Sequence, residues 1–262
     1  MSERDSPKPI TDHLEDLRGG LVRALLASFT CVGLTFWQSR KVFYWLVLPL
    51  ESAIAKVPEL ASQTLPLQTL NPVEIFFTDM KISLAAGMAA ASPFLLREIW
   101  IFVAPGLKPR ERKAILPALG MGLLFFALGV VFAYYVAVPL TLRFFLAYNV
   151  GFHVLPQWTL GGYVDFMLTL LVSFGMTFEL PLILAVLAGL GLVTPEFLTA
   201  KRRHAILGIV ILAAVVTPTV DPFTQMALSI PLFFLYELGI LFARIASRRR
   251  KEPEIQGPHV DS

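Results

Sequence analysis

Four carboxylates in this 262-residue chain stand where they can do chemistry. Glu111 lies in a polar turn among Lys108, Arg110, Arg112 and Lys113. Asp16, followed by Arg18, lies on a segment leading into the first apolar run, and Glu179 lies inside a later run, two residues before Pro181. Asp221 opens the last run, one helical turn before Gln225. A carboxylate suits the planar fork of an arginine, so two acids on one rim can receive two guanidinium groups. An acid within lipid is costly and faces a polar cavity or a partner. Glu179 is therefore a proton relay, a polar lining that draws water into the membrane, or a neutral acid hydrogen-bonded inside a bundle. Plainer readings stand beside these. Glu111 can be neutralised by its basic neighbours in an exposed and weak pairing. Asp16 and Arg18 can be an exposed pair, and Asp221 a helix cap or a polar contact with a partner helix. Glu237 can pair with Arg244 and needs no special role.

Nothing in the chain assembles these acids into a catalytic constellation. The metal-binding, nucleophile-elbow and cysteine–histidine patterns are absent, as is a glycine-rich phosphate loop. Four histidines, His13, His153, His204 and His259, scatter through loops and termini. The single cysteine, Cys31, falls in an apolar run, which leaves no disulfide within the chain and favours small-residue packing. No enzyme activity, cofactor or metal is expected.

The elements that must position the acids are membrane helices. The chain is 56% hydrophobic and only 16% charged, against about a quarter charged in a soluble domain. Several runs can cross a hydrocarbon core of roughly 30 Å. The polar first twenty residues lack the pattern of a cleaved leader, so the first run is expected to remain as a span. Asp12-His13-Leu14-Glu15 reads as a helix start. Span 1 covers Leu21 to Gln38, and its helix is expected to follow the far interface and stop near Pro49, with Trp37, Tyr44 and Trp45 in an aromatic belt. A proline-rich loop follows, where Glu51 to Leu60 can form a short amphipathic helix. Asn71-Pro72 is the entry to helix 2, which covers Val73 to Val103 and is kinked at Pro93. Helix 3 covers Ala114 to Leu142 and helix 4 Gly162 to Leu192. Thr194-Pro195-Glu196 starts a short inner element. Run 5, Ala205 to Val216, reaches only about 18 Å. Run 6 covers Phe223 to Ala243.

Charge sets the topology. With both termini inside, six spans place Arg18, Arg23, Arg97, the bases around Glu111, Lys201, Arg202, Arg203, Arg244 and the cluster Arg248 to Lys251 inside. Arg40, Lys41, Lys56, Lys81 and Arg143 fall outside. This makes runs 5 and 6 a short real hairpin. It also explains the basic tail without nucleic acid. Expected are a cytoplasmic segment 1–20, a membrane domain 21–243 embedded in the lipid bilayer, and a basic, then polar and disordered tail 244–262.

Several motifs in order resemble one family. They are His13-Leu14-Glu15-Asp16-Leu17-Arg18; Trp100-x-Phe102-x-x-Pro105-Gly106-Leu107, then Glu111-Arg112; Phe132-Ala133-Tyr134-Tyr135 with Pro139; Phe174-Gly175-x-x-Phe178-Glu179-x-Pro181; and Thr217-Pro218 followed by Asp221 and Gln225. From about residue 10 to 245 the chain resembles TatC, the multispanning subunit of the twin-arginine protein translocase. The resemblance implies an all-α integral membrane protein, with six transmembrane helices in a concave glove-like bundle, helices 5 and 6 short and both termini cytoplasmic. It implies a receptor and scaffold in the cell membrane, exporting folded proteins with the proton-motive force. Glu111 and Asp16 would recognise the paired arginines of a signal peptide, with Phe102 on the same rim and Arg18 orienting it. Asp16 replaces the family's usual glutamate, keeping the charge on a side chain one methylene shorter. Glu179 would face the concave side. Asp221 and Gln225 would meet single-span partners of the TatA/TatB type, within a larger, self-associating complex. Pro49, Pro105 and Tyr134 would be structural positions. A proton-coupled solute transporter is the rival reading; it predicts an internal repeat, and no clear one is visible.

Overall fold

In the computed structural model the described residues are 10–60, 67–104, 109–152, 154, 156–216 and 222–251. Within them the chain is helical: α1 (Ile10–Trp37), α2 (Ser39–Ile54), α3 (Glu74–Val103), α4 (Pro109–Phe132), a π turn (Ala133–Ala137), α5 (Val138–Gly151), α6 (Leu160–Phe178), α7 (Leu180–Leu190), α8 (Pro195–Ala200), α9 (Arg202–Val216) and α10 (Pro222–Lys251). Five stretches are long and apolar enough to cross a membrane: Leu17–Trp37, Glu74–Phe102, Leu119–Gly151, Leu160–Leu190 and Leu228–Ser247. The short α9, 15 residues or about 22 Å, is the sixth crossing of the expected bundle. It begins three residues earlier than its apolar run, because Arg202 to His204 continue the helix at its inner end.

The packing is pairwise: α1 lies on α3, α4 on α6, α7 on α10, α9 on α10 and α2 on α5. In lipid such contacts depend on close backbone approach. A Cβ added to Gly87 of α3 would stand 2.6 Å from the Cα of Val32 on α1, and one added to Gly129 of α4 would stand 2.5 Å from the Phe174 carbonyl of α6. The core centres on α6, where Val164, Met167, Leu170 and Phe174 are buried against Leu46 and Leu50 of α2, Ala133 and Ala137 of the π turn, and Leu228 and Leu232 of α10. On α1 the apolar side chains Leu21, Leu25, Leu26 and Phe29 are exposed on the outside of the bundle.

Several local expectations change. The helix after Gln38 does not stop at Pro49 but runs through it to Ile54, and the residues after it form turns instead of an amphipathic helix. Pro49 lacks the N–H that would bond Trp45 O; the Tyr134 hydroxyl of the π turn donates to that carbonyl at 2.6 Å. The Tyr163 hydroxyl of α6 donates to the next one, Leu46 O, at 2.6 Å. Pro93 is carried inside α3 in the same way: Ser92 Oγ donates to Ala89 O, four residues before the proline, at 2.7 Å. α3 begins at Glu74, one residue after the expected Val73, and Asn71 O accepts the Glu74 N–H. Helix 3 is longer than its uncharged run and continues through the π turn to Gly151. Helix 4 is divided at Glu179 and ends at Gly191, whose φ of 79° gives a left-handed cap. Thr194 caps α8, accepting from Phe197 N, as its sequence indicates. Glu237 pairs with Arg202 of α9 at 2.7 Å instead of Arg244; Arg202 opens a helix packed on α10, whereas Arg244 is two turns along the same helix. α10 continues to Lys251, so the run Arg248–Lys251 is helical; residues 252–262 lie outside the described residues.

Candidate functional site

The inner rim is built by the amino-terminal end of α1 and the carboxy-terminal end of α3. Arg23 of α1 donates from Nε and a terminal nitrogen to Glu98 Oε2 of α3, at 3.0 and 2.9 Å. Arg97 donates to Glu98 Oε1 at 2.7 Å. The Glu98 side chain is 9% exposed, whereas Arg23 and Arg97 are 56% and 66% exposed. Gly20 packs beside the clamp: a Cβ there would lie 3.7 Å from Glu98 Oε2, in ordinary contact. The clamp fixes α1 against α3 on the cytoplasmic side. Asp16 stands seven residues before Arg23 on α1, and Phe102, partly buried, four residues after Glu98 on α3. Arg18 is exposed on the same end of α1. Glu111 lies in the first turns of α4. The side chains of Asp16 and Glu111, and all of Pro105 and Asp221, lie outside the described residues.

Sequence spacing did not single out Glu98. It sits beside Arg97 at the edge of an apolar run, where a charge is ordinary, and its second partner is 75 residues away. Arg23, two residues inside the expected span 1, was the available signal: a charge on an apolar run needs a partner.

Glu179 occupies the break between α6 and α7. Its N–H bonds Met176 O, and its own carbonyl accepts from Ile183, which carries the chain past Pro181. The side chain turns to α4. Its two carboxylate oxygens lie 3.2 and 3.5 Å from where a Cβ on Gly122 would stand, and Leu182 closes the same niche at 3.4 Å. A Cβ on Gly122 would press against this carboxylate. No basic group among the described residues pairs with Glu179, so a backbone niche inside the bundle holds it.

At the outer end of α10, Gln225 donates from Nε2 to Val210 O of α9 at 3.1 Å. This tie joins the 15-residue α9 to the 30-residue α10. On the outer side Glu74 of α3 accepts from Leu70 N at 2.9 Å and from Gly161 N at 2.7 Å, at the start of α6. Lys81 and Asp165 join the same two helices at 2.7 Å, both about half exposed. Gln68 exchanges backbone hydrogen bonds with Trp158 and Leu160, tying the two outer loops together.

The fold and these polar ties define a multi-pass membrane protein whose charged residues brace helices and line an inner rim. The family model described as "Sec-independent protein translocase protein (TatC)" matches residues 12–231, and the chain belongs to that family. Among its relatives is the TatC of Aquifex aeolicus, 37% identical over 247 residues, 93% of this chain and 98% of that protein. The chloroplastic TATC of Pisum sativum is 37% identical over 245 residues, 93% of this chain and 66% of that one. A solved structure described as the twin arginine translocase receptor TatC matches with a TM-score of 0.74 and 36% identity, covering 90% of this chain and all of that one. The chain is thus a component of the Sec-independent protein translocase, a multi-pass protein of the cell membrane that takes part in transport and is not an enzyme.

Proposed function

We propose that the inner rim binds the paired arginines of a twin-arginine signal peptide, with Glu111 and Asp16 as acceptors. Phe102 packs against the peptide and Arg18 orients the amino-terminal acid. The Arg23–Glu98 clamp carries this reading. It holds the end of α1 that bears Asp16 beside the end of α3 that leads through Phe102 towards Glu111. Two acids held on one rim suit two guanidinium groups, and lysines fill such sites less well because a point charge lacks the bidentate fork. The peptide's apolar part then enters beside Glu179, single-span TatA/TatB-type subunits assemble at the start of α10 near Asp221 and Gln225, and the proton-motive force drives export of the folded cargo. The name of the solved relative, a twin arginine translocase receptor, is consistent with this role.

The test is a photoreactive residue at position 111 or 16, in native membranes, with a twin-arginine signal peptide and its twin-lysine counterpart. The expected result is a crosslink that depends on the arginines. Equal crosslinking by both peptides, or none from either position with the protein intact, removes the docking role from this rim.

A further inference from the structure

We infer that Arg97, on the lipid-facing side of the Arg23–Glu98 clamp, is a binding site for the phosphate of an anionic phospholipid in the cytoplasmic leaflet. Position is the first support. Arg23 and Arg97 lie near the same end of the paired helices, six residues from the start of Leu17–Trp37 and five from the end of Glu74–Phe102. Long basic side chains near a span end reach for the headgroup layer, where the phosphates lie. Stoichiometry is the second. One buried carboxylate serves two guanidinium groups, and Glu98 Oε2 already takes two N–H donors from Arg23. Arg97 gives Glu98 one terminal nitrogen, and its side chain is 66% exposed. Its remaining donors have no partner among the described residues.

The surroundings are the third support. Leu21 and Leu25 of α1 and Phe94 and Ile101 of α3 are exposed and apolar, so acyl chains can lie along both helices beneath the bound headgroup. Basic pockets between membrane helices on the cytoplasmic side take anionic headgroups in this way. A zwitterionic lipid brings its own ammonium to the same place and neutralises Arg97 less well.

The experiment titrates the detergent-solubilised full chain with phosphatidylglycerol or phosphatidylcholine of the same acyl chains and counts bound lipid by native mass spectrometry. The first phosphatidylglycerol should be held about tenfold more tightly than phosphatidylcholine, the ratio expected of one charge-assisted hydrogen bond. Arg97→Gln should bring that ratio close to one, Arg97→Lys should keep part of it, and Lys201→Gln on the other inner hairpin should leave it unchanged. An unchanged ratio in Arg97→Gln overturns the site. An equal loss in Lys201→Gln also overturns it, because the attraction is then diffuse. If inorganic phosphate displaces the lipid at equal concentration, the site is one for free anions and the lipid assignment fails. A second measurement needs no variant: photoactivatable phosphatidylglycerol should label residues near Arg97 on α1 and α3, and labelling concentrated on Lys201 to Arg203 overturns the proposal.

Discussion

The Tyr134 hydroxyl donates, at 2.6 Å, to the carbonyl of Trp45. That carbonyl would be served in an unbroken helix by the residue four places on, and this residue is Pro49. A proline inside a helix removes a donor and leaves the carbonyl without its usual partner. The π turn Ala133–Ala137 supplies the side chain that fills the gap. Pro49 and Tyr134 are thus halves of one device, although 85 positions separate them.

The pairing predicts a dependence between the two positions. Tyr134→Phe removes that donor from Trp45 O and should cost about 1 kcal/mol of stability, read as a lower unfolding temperature in mild detergent. Pro49→Ala restores the missing N–H. In that background Tyr134→Phe should cost much less. Equal costs in both backgrounds would show that Tyr134 acts by packing alone.

Close backbone contact makes a second prediction. Gly129→Ala puts a methyl group 2.5 Å from the Phe174 carbonyl, and Gly87→Ala puts one 2.6 Å from Val32 Cα. Neither neighbour is the free end of a flexible side chain, so helices must separate. Both variants should lose several kcal/mol, at the upper end of overpacking costs. Gly33 and Gly120 have nothing within 4 Å of an added Cβ. Alanine there should be neutral or stabilising by up to about 1 kcal/mol. Melting curves of the four variants decide the point.

The chain disclosed its long apolar spans and the short α9, because length and hydropathy are local properties. Thr194 and Pro195 likewise announced a helix start that the structure uses. The ties between helices were not visible. Arg23 finds Glu98 across 75 positions and Lys81 finds Asp165 across 84, and no periodicity records which helices become neighbours. Glu237 shows the same limit: sequence proximity suggested Arg244, and packing supplied Arg202. Pro49 reads as a stop because the donor that rescues its helix lies elsewhere in the chain.

The outer seam between α3 and α6 offers a contrast between two charged groups. Lys81 and Asp165 are both about half exposed, so Asp165→Ala should cost no more than about 1 kcal/mol. Glu74 instead accepts backbone N–H groups from Leu70 and Gly161 and fixes the start of α6. Glu74→Ala leaves those donors without a partner, and should destabilise the protein more than Asp165→Ala. Faster hydrogen exchange confined to residues 160–163 would locate the loss; an unchanged rate there would count against the role of Glu74.

Glu179 allows the sharpest functional test. Its carboxylate sits beside Gly122, where an added Cβ would crowd it at 3.2 Å, and no described basic residue pairs with it. An amide fits the same space and offers the same polarity, so Glu179→Gln should retain most export of twin-arginine cargo. Glu179→Leu should reduce export about tenfold or more, a barrier change of about 1.4 kcal/mol. Gly122→Val fills the niche and should reduce export with Glu179 intact, by forcing the carboxylate out of place. If Glu179→Gln fails as completely as Glu179→Leu while both proteins reach the membrane at normal levels, the proton on Glu179 is what transport needs. The acid then serves as a relay and not as a polar lining.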